Sequence, residues 1–130
     1  MPGKKLSRRQ AELLRRITKE RGAPSPRMQQ LLEWDTDFFE AYMNFSGHPW
    51  RKGVLPPKVK ELIYIAVDAS VTHLYEPGVK SHMRKALEQG ATPEEILEVL
   101  ELVSVLGIHS CTIGVPALAE VCDAWQAEKK

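Results

Sequence analysis

Leu55-Pro56-Pro57-Lys58-Val59-Lys60-Glu61-Leu62-Ile63-Tyr64-Ile65-Ala66-Val67 is the run that decides the fold. Its paired prolines stand where a helix has no use for their missing N–H groups. From Val59 to Val71 the segment is then apolar nearly all round after its first turn. A helix of that kind is buried on several sides. Thr72-His73-Leu74-Tyr75-Glu76-Pro77-Gly78 interrupts it, and a second helix is predicted from about Pro77 to Glu88, stopped by Gly90 as a left-handed cap. The two together read as a buried antiparallel hairpin that the remaining elements must cover.

Downstream, Thr92-Pro93-Glu94-Glu95 combines a capping threonine, proline at the first helical position and glutamate at the third. The helix it opens, Ile96 to Leu106, carries apolar residues around more than half its circumference. Gly107 is expected to end or kink it, and a last helix, kinked at Pro116, to finish near Lys129. Upstream, Ser7 and Gln10 form a capping box for a helix ending near Gly22, Ala23 to Pro26 is a linker, and Arg27 to Trp34 makes a turn or two. Asp35 caps a helix bearing Phe38, Phe39, Tyr42, Met43 and Phe45, and Ser46-Gly47-His48-Pro49-Trp50 with Gly53 predicts a break. No segment reads as a useful strand. The expected architecture is an all-α helical bundle around the hairpin, with residues 1–23 as a basic N-terminal helix or arm and residues 24–130 as the helical domain.

With 130 residues, 43% apolar and 27% charged, the chain is neither disordered nor fibrous. A domain this short buries only about two-thirds of its unfolded surface, so helices this apolar are expected to share faces with another subunit. The longest uncharged run, Leu102 to Ala119, touches the lower limit for a membrane span, but Gly107, His109, Ser110, Thr112, Gly114 and Pro116 are poor company in lipid. No membrane contact is expected. The basic N-terminus lacks a following apolar signal region, which implies a cytoplasmic protein. Residues 1 to 21 hold eight Lys/Arg against two Glu, yet no aromatic is interleaved with them, so a solvated basic face is expected rather than nucleic-acid binding. Cys111 and Cys122 are about 16 Å apart along a helix, too far for a disulfide. Without a Cys-x-x-Cys, Cys111 reads as a small buried hydrophobe.

His73, His82 and His109 fall in or beside the apolar hairpins, interleaved with Glu61, Asp68 and Glu76. Glu61 and Asp68 are seven apart, two turns along one helical face. An acid in such a helix wants a partner, because an unpaired buried carboxylate is expensive, and His82 is suitable in type. Read on its own, His82 fits a surface or satisfied core histidine equally well, and Asp68 fits a local cap.

The stretch from Leu55 to Val67, then His82-Met83-Arg84-Lys85-Ala86-Leu87-Glu88-Gln89-Gly90-Ala91-Thr92-Pro93-Glu94-Glu95-Ile96, then Gly107 and Pro116, resembles the carboxymuconolactone decarboxylase family, whose superfamily includes the alkylhydroperoxidase D-like proteins. Asp37 to Tyr42 and Trp50 fit as well, so the likeness spans roughly Trp34 to Glu120. The resemblance implies an all-α homo-trimer or homo-hexamer with sites between helices near subunit contacts. It also implies that Glu61 and His82 match the family's acidic residue and histidine. In the peroxidase branch these serve a dithiol; here His73 to Ser81 contains no cysteine, which excludes a dithiol peroxidase. The segment Thr72 to Gly78 is about two residues longer than the family's usual loop.

The function expected is a cofactor-free lyase or isomerase on a small carboxylated substrate. His82 is the general acid/base, Glu61 orients it, and His73 and His109 join the catalytic set. Glu76, Tyr75 and Arg84 are expected to bind substrate. Protonating an incipient carbanion suits an imidazole, whose ordinary pKa lies near neutrality. A second reading takes His73, Glu76, His82 and His109 as ligands of a divalent zinc or iron ion. A third makes the chain a non-catalytic oligomer. Since three buried imidazoles each need a hydrogen-bond partner, His73, Glu76, His82 and His109 are expected to converge on one pocket.

Overall fold

The computed structural model describes residues 5–128, and every regular element among them is helical. In chain order these are α1 (Arg8–Arg21), α2 (Pro26–Trp34), α3 (Thr36–Lys52), α4 (Pro57–Ala69), α5 (Glu76–Glu88), α6 (Pro93–Ser104), a 3-10 turn (Val105–Ile108) and α7 (His109–Glu128). The chain divides into two compact units, Met1–Val54 and Leu55–Lys130.

In the first unit the predicted capping box forms, with Ser7 Oγ accepting from Gln10 N at 3.2 Å and Gln10 Oε1 accepting from Ser7 N at 2.9 Å. Leu13 and Ile17, one turn apart, then share a core with Leu32, Phe39 and Met43. The opposite side is polar but engaged. Arg9 reaches Asp37 at 2.5 Å and Glu40 at 3.0 Å, and Arg16 reaches Glu40 at 3.2 Å. Hydrogen bonds to Glu40 and Asp37 raise the Arg9 pKa above its usual value. The first helix is therefore no separate arm, and the division expected after residue 23 falls inside this unit. The predicted break at Ser46 to Trp50 is also absent. Helix α3 continues through Pro49 to Lys52 and stops at Gly53, whose φ of 71° suits a glycine cap. Proline costs the helix one hydrogen bond, while Arg51 Nη2 donates to the Asn44 carbonyl at 2.7 Å and ties the last turn to the one before.

In the second unit α4 packs against α5 and α6. Ile65, Ala86, Ala91 and Ile96 form the core, with Leu62, Met83, Val99 and Leu100 against it. Gly90 takes φ 85° after α5, and the Thr92 box opens α6, with Thr92 Oγ1 accepting from Glu95 N at 3.2 Å and Glu95 Oε2 accepting from Thr92 N at 2.9 Å. The other Glu95 oxygen accepts from Lys58 Nζ at 2.9 Å, fastening α6 to the first turn of α4. The Lys58 hydrogen bond, helped by the Thr92 N–H, holds the Glu95 carboxyl below the usual carboxylate range.

Burial on several sides is not met within one chain. Ile63 and Val67 of α4 and Val71 just beyond it are about half exposed, Leu97 and Leu102 of α6 are exposed, and no residue of α7 is buried. At Gly107 the α-helix is interrupted as expected: α6 ends at Ser104, and the 3-10 turn that contains Gly107 leads directly into α7. The resulting run, Pro93–Glu128, is long and apolar enough by length and composition to cross a membrane. It retains the small and polar residues noted above, and Ser110 Oγ and Thr112 Oγ1 donate back to the carbonyls of Gly107 and His109. Cys111 and Cys122 are free and exposed, so Cys111 is not the buried hydrophobe expected.

Replacing Thr92 by Ala is expected to cost about 1 kcal/mol of unfolding free energy, the usual effect of losing a threonine cap. Glu95→Gln should destabilise at neutral pH. Because the folded-state pKa of Glu95 is depressed, its contribution is complete above the ordinary glutamate range and vanishes as pH falls through the lowered value. Urea unfolding of wild type and Glu95→Gln should therefore converge in acid; a gap that widens as pH falls contradicts this assignment.

Candidate active site

Glu61, Tyr64 and Asp68 stand at i, i+3 and i+7 of α4 and so share one helical face. His82, on α5, meets all three. Its Nδ1 lies 2.6 Å from Glu61 Oε2, its Nε2 lies 3.8 Å from Asp68 Oδ2, and its ring stacks on Tyr64 at 4.7 Å between centroids and 12° between planes. The Glu61 side chain is only 6% exposed, that of Asp68 12% and that of His82 17%. An ionised carboxylate only accepts, so Nδ1 donates to Glu61, and the short separation is that of a charge-assisted bond. This fixes the tautomer and leaves Nε2 as the working atom. The tyrosine ring fixes the imidazole plane.

The connection between the helices completes the cluster. Helix α4 stops at Ala69; Ser70 Oγ donates to the Val67 carbonyl at 2.9 Å, and the N–H groups of His73 and Leu74 return to the Ser70 carbonyl at 2.9 and 2.8 Å. Leu74 adopts φ 46°, a left-handed conformation uncommon for leucine. The chain then turns back, and Tyr75 N donates to the Asp68 carbonyl at 2.8 Å. His73 Nε2 is thereby placed 3.3 Å from Asp68 Oδ1, and its ring lies 5.7 Å from that of Tyr75. One carboxylate thus stands between two histidines. Gly78 is buried in the first turn of α5 because a Cβ there would overlap the Asp68 carboxyl and the Tyr75 ring.

Of the expected site residues, Glu61, His82 and His73 come together, and Tyr75 borders them. Glu76 does not join: it pairs with Lys80 in solvent, whose hydrogen bond and charge hold its carboxyl below the usual range. Arg84 is exposed and faces Glu88 at 3.9 Å. His109 is exposed, with Nδ1 3.3 Å from Thr112 Oγ1, and borders a cleft of about 350 Å³ with Ala66, Ser70, Leu102 and Leu106. The predicted convergence of His73, Glu76, His82 and His109 therefore does not occur in this chain. The reason is local: Glu76 opens an exposed helical turn, and His109 opens the exposed helix α7 after the 3-10 turn. Among the described residues no group of three or more His, Cys, Asp or Glu side chains is arranged to hold a metal ion. Tyr64 is the site residue that the sequence does not single out, and Asp68, noted on the face of Glu61, reads there as a local cap as readily as a site residue. The spacing of Glu61, Tyr64 and Asp68 on one face of a helix was the signal available.

Gly78→Ala is expected to lower thermal stability, since the new methyl has no room beside Asp68 and Tyr75. Gly107→Ala meets nothing within 4 Å and should be neutral or stabilising. Equal melting temperatures for the two variants would contradict the close approach at Gly78.

The model of the carboxymuconolactone decarboxylase family matches residues 36–127, a span holding Glu61, Tyr64, Asp68, His73 and His82. The uncharacterized protein MJ1511 of Methanocaldococcus jannaschii is 33% identical over 86 residues, covering 65% of this chain and 78% of that protein. A crystal structure from Burkholderia xenovorans LB400, provisionally assigned as a gamma-carboxymuconolactone decarboxylase subunit, superposes with a TM-score of 0.89 at 48% identity over 95% of this chain. The present chain spans 50% of the length of that chain. By the extent of the family match and the likeness to these proteins, this chain belongs to the carboxymuconolactone decarboxylase family.

Proposed function

We propose that the protein is a cofactor-free lyase or isomerase, decarboxylase-like, acting on a small carboxylated molecule with His82 as general acid/base and Glu61 as the residue that orients it. The observation that carries this reading is the 2.6 Å contact between His82 Nδ1 and the buried Glu61 carboxylate, which leaves Nε2 to face a reacting atom. When a carboxylate leaves as carbon dioxide, the electron pair of the broken C–C bond stays on carbon, and a proton from Nε2 neutralises it. The Nδ1–H bond to Glu61 keeps the ring aligned throughout. Family membership and the assignment of the Burkholderia protein support a decarboxylase-like reaction. The leaving carboxylate has to lie away from Glu61 and Asp68, and Tyr75 borders the cluster at the start of α5.

In this reading α4 and α5 form an antiparallel hairpin, and the chain assembles in the cytoplasm as a homo-trimer or homo-hexamer. It binds no nucleic acid and no membrane. The support is the apolar surface that one chain leaves open on α4, α6 and α7. A contiguous apolar surface of this extent is characteristic of subunit contacts. Light scattering should return a multiple of 14.7 kDa at micromolar concentration; a monomer in the absence of detergent contradicts the assembly.

Carbon dioxide release from gamma-carboxymuconolactone and related lactone acids tests the chemistry. His82→Gln is expected to lower turnover by about 10³-fold, the range for loss of a general acid/base. Glu61→Gln should lower the rate and also move the pH optimum. Treatment with a chelator should leave the rate unchanged. Wild-type turnover by His82→Gln overturns the assignment, and activity lost to the chelator but restored by zinc or iron transfers the reaction to a metal.

A further inference from the structure

The cluster contains a second histidine and a second carboxylate that the acid/base step does not use. The side chains of Glu61, His82 and Asp68 are 6%, 17% and 12% exposed, whereas that of His73 is 51% exposed, so the cluster meets solvent at His73. Nδ1 of His82 is engaged by Glu61 and one face of its ring is covered by Tyr64. Nε2 lies 3.8 Å from one oxygen of Asp68, and the other oxygen of the same carboxyl lies 3.3 Å from His73 Nε2. The backbone holds this order firmly: Tyr75 N is bonded to the Asp68 carbonyl, and buried Gly78 lets Asp68 lie flat against the first turn of α5.

From this geometry we propose that Asp68 and His73 form a proton relay that reloads His82 from solvent. The inference rests on the reading of His82 as the general acid/base. The proton on His73 Nε2 passes to Asp68 Oδ1, giving a neutral carboxylic acid and a neutral imidazole. The carboxyl group turns about its Cβ–Cγ bond and delivers that proton to His82 Nε2, and His73 takes a replacement from water. One proton moves, no bond between heavy atoms changes, and Asp68 ends ionised as it began. The 3.8 Å separation exceeds a hydrogen bond and is closed by a shift of roughly 1 Å in the Asp68 carboxyl or by one bridging water. Asp68 and His73 are thus positioning and proton-supply residues; neither contacts the reacting carbon.

The test needs no substrate. In intact protein labelled with ¹⁵N-histidine, exchange of the His82 Nε2 proton with water is measured by NMR at a pH where the ring carries both protons. His73→Gln, an exposed replacement, is expected to slow that exchange about tenfold, Asp68→Asn should do the same, and added free imidazole should restore the rate in His73→Gln but not in Asp68→Asn. The rescue separates a relay from a packing defect. A proton that exchanges equally fast, or stays equally invisible, in wild type and His73→Gln overturns the relay, as does equal rescue of both variants. Neither result touches the acid/base role of His82, which falls only if His82→Gln retains turnover.

Discussion

A carboxylate buried in an apolar helix is the constraint on which the second unit depends. Glu61 is 5% exposed on a helix whose other buried residues include Ile65. Taking such an ion out of water costs several kcal/mol unless a partner is supplied in good geometry. The partner is His82, 21 residues later. The intervening chain therefore has to stop α4 at Ala69, reverse within six residues and restart at Glu76 in the register that brings Nδ1 to Glu61. The left-handed Leu74, the Tyr75 bond to the Asp68 carbonyl and the absence of a side chain at Gly78 all serve that register. The same constraint makes the chemistry: a ring whose Nδ1 is held by a carboxylate and whose plane is held by Tyr64 presents Nε2 in one direction.

The apolar surface follows a separate logic. A chain of 130 residues has too little polar material to cover helices as apolar as α4, α6 and α7. Within its own unit α4 is covered on one side, by α5 and α6, and its remaining apolar residues face outward beside those of the long α6–α7 run. The exposed cysteines of α7 belong to this surface rather than to the acidic cluster. Surface and cluster thus divide the molecule's work, with assembly proposed for one and proton transfer for the other.

Much of the fold was legible because helix punctuation is local chemistry. Ser7 with Gln10, Thr92 with Glu95, the prolines before α4 and the glycines at 22 and 90 mark ends that the structure reproduces within a residue or two. Punctuation misled where one residue carried too much weight. Pro49 costs α3 a single hydrogen bond and is tolerated three residues before its end. The pairing of Glu61 with His82 was accessible from residue type and spacing. The roles of Asp68 and Tyr64 were not, because they depend on how a six-residue connection folds back. His109 and Glu76 were drawn into the site by proximity to breaks in sequence, which says where a chain turns but not which way a side chain faces.

The dependence of the unit on one buried pair is tested most directly by a double-mutant cycle: urea unfolding of wild type, Glu61→Gln, His82→Gln and the double variant at equal protein concentration. The account predicts that each single variant is destabilised and that the double variant is less destabilised than their sum by more than about 1 kcal/mol, as expected when each change strands the other's buried partner. Single effects that add within about 0.5 kcal/mol would mean that Glu61 and His82 do not depend on one another, and the account of both register and site would fail.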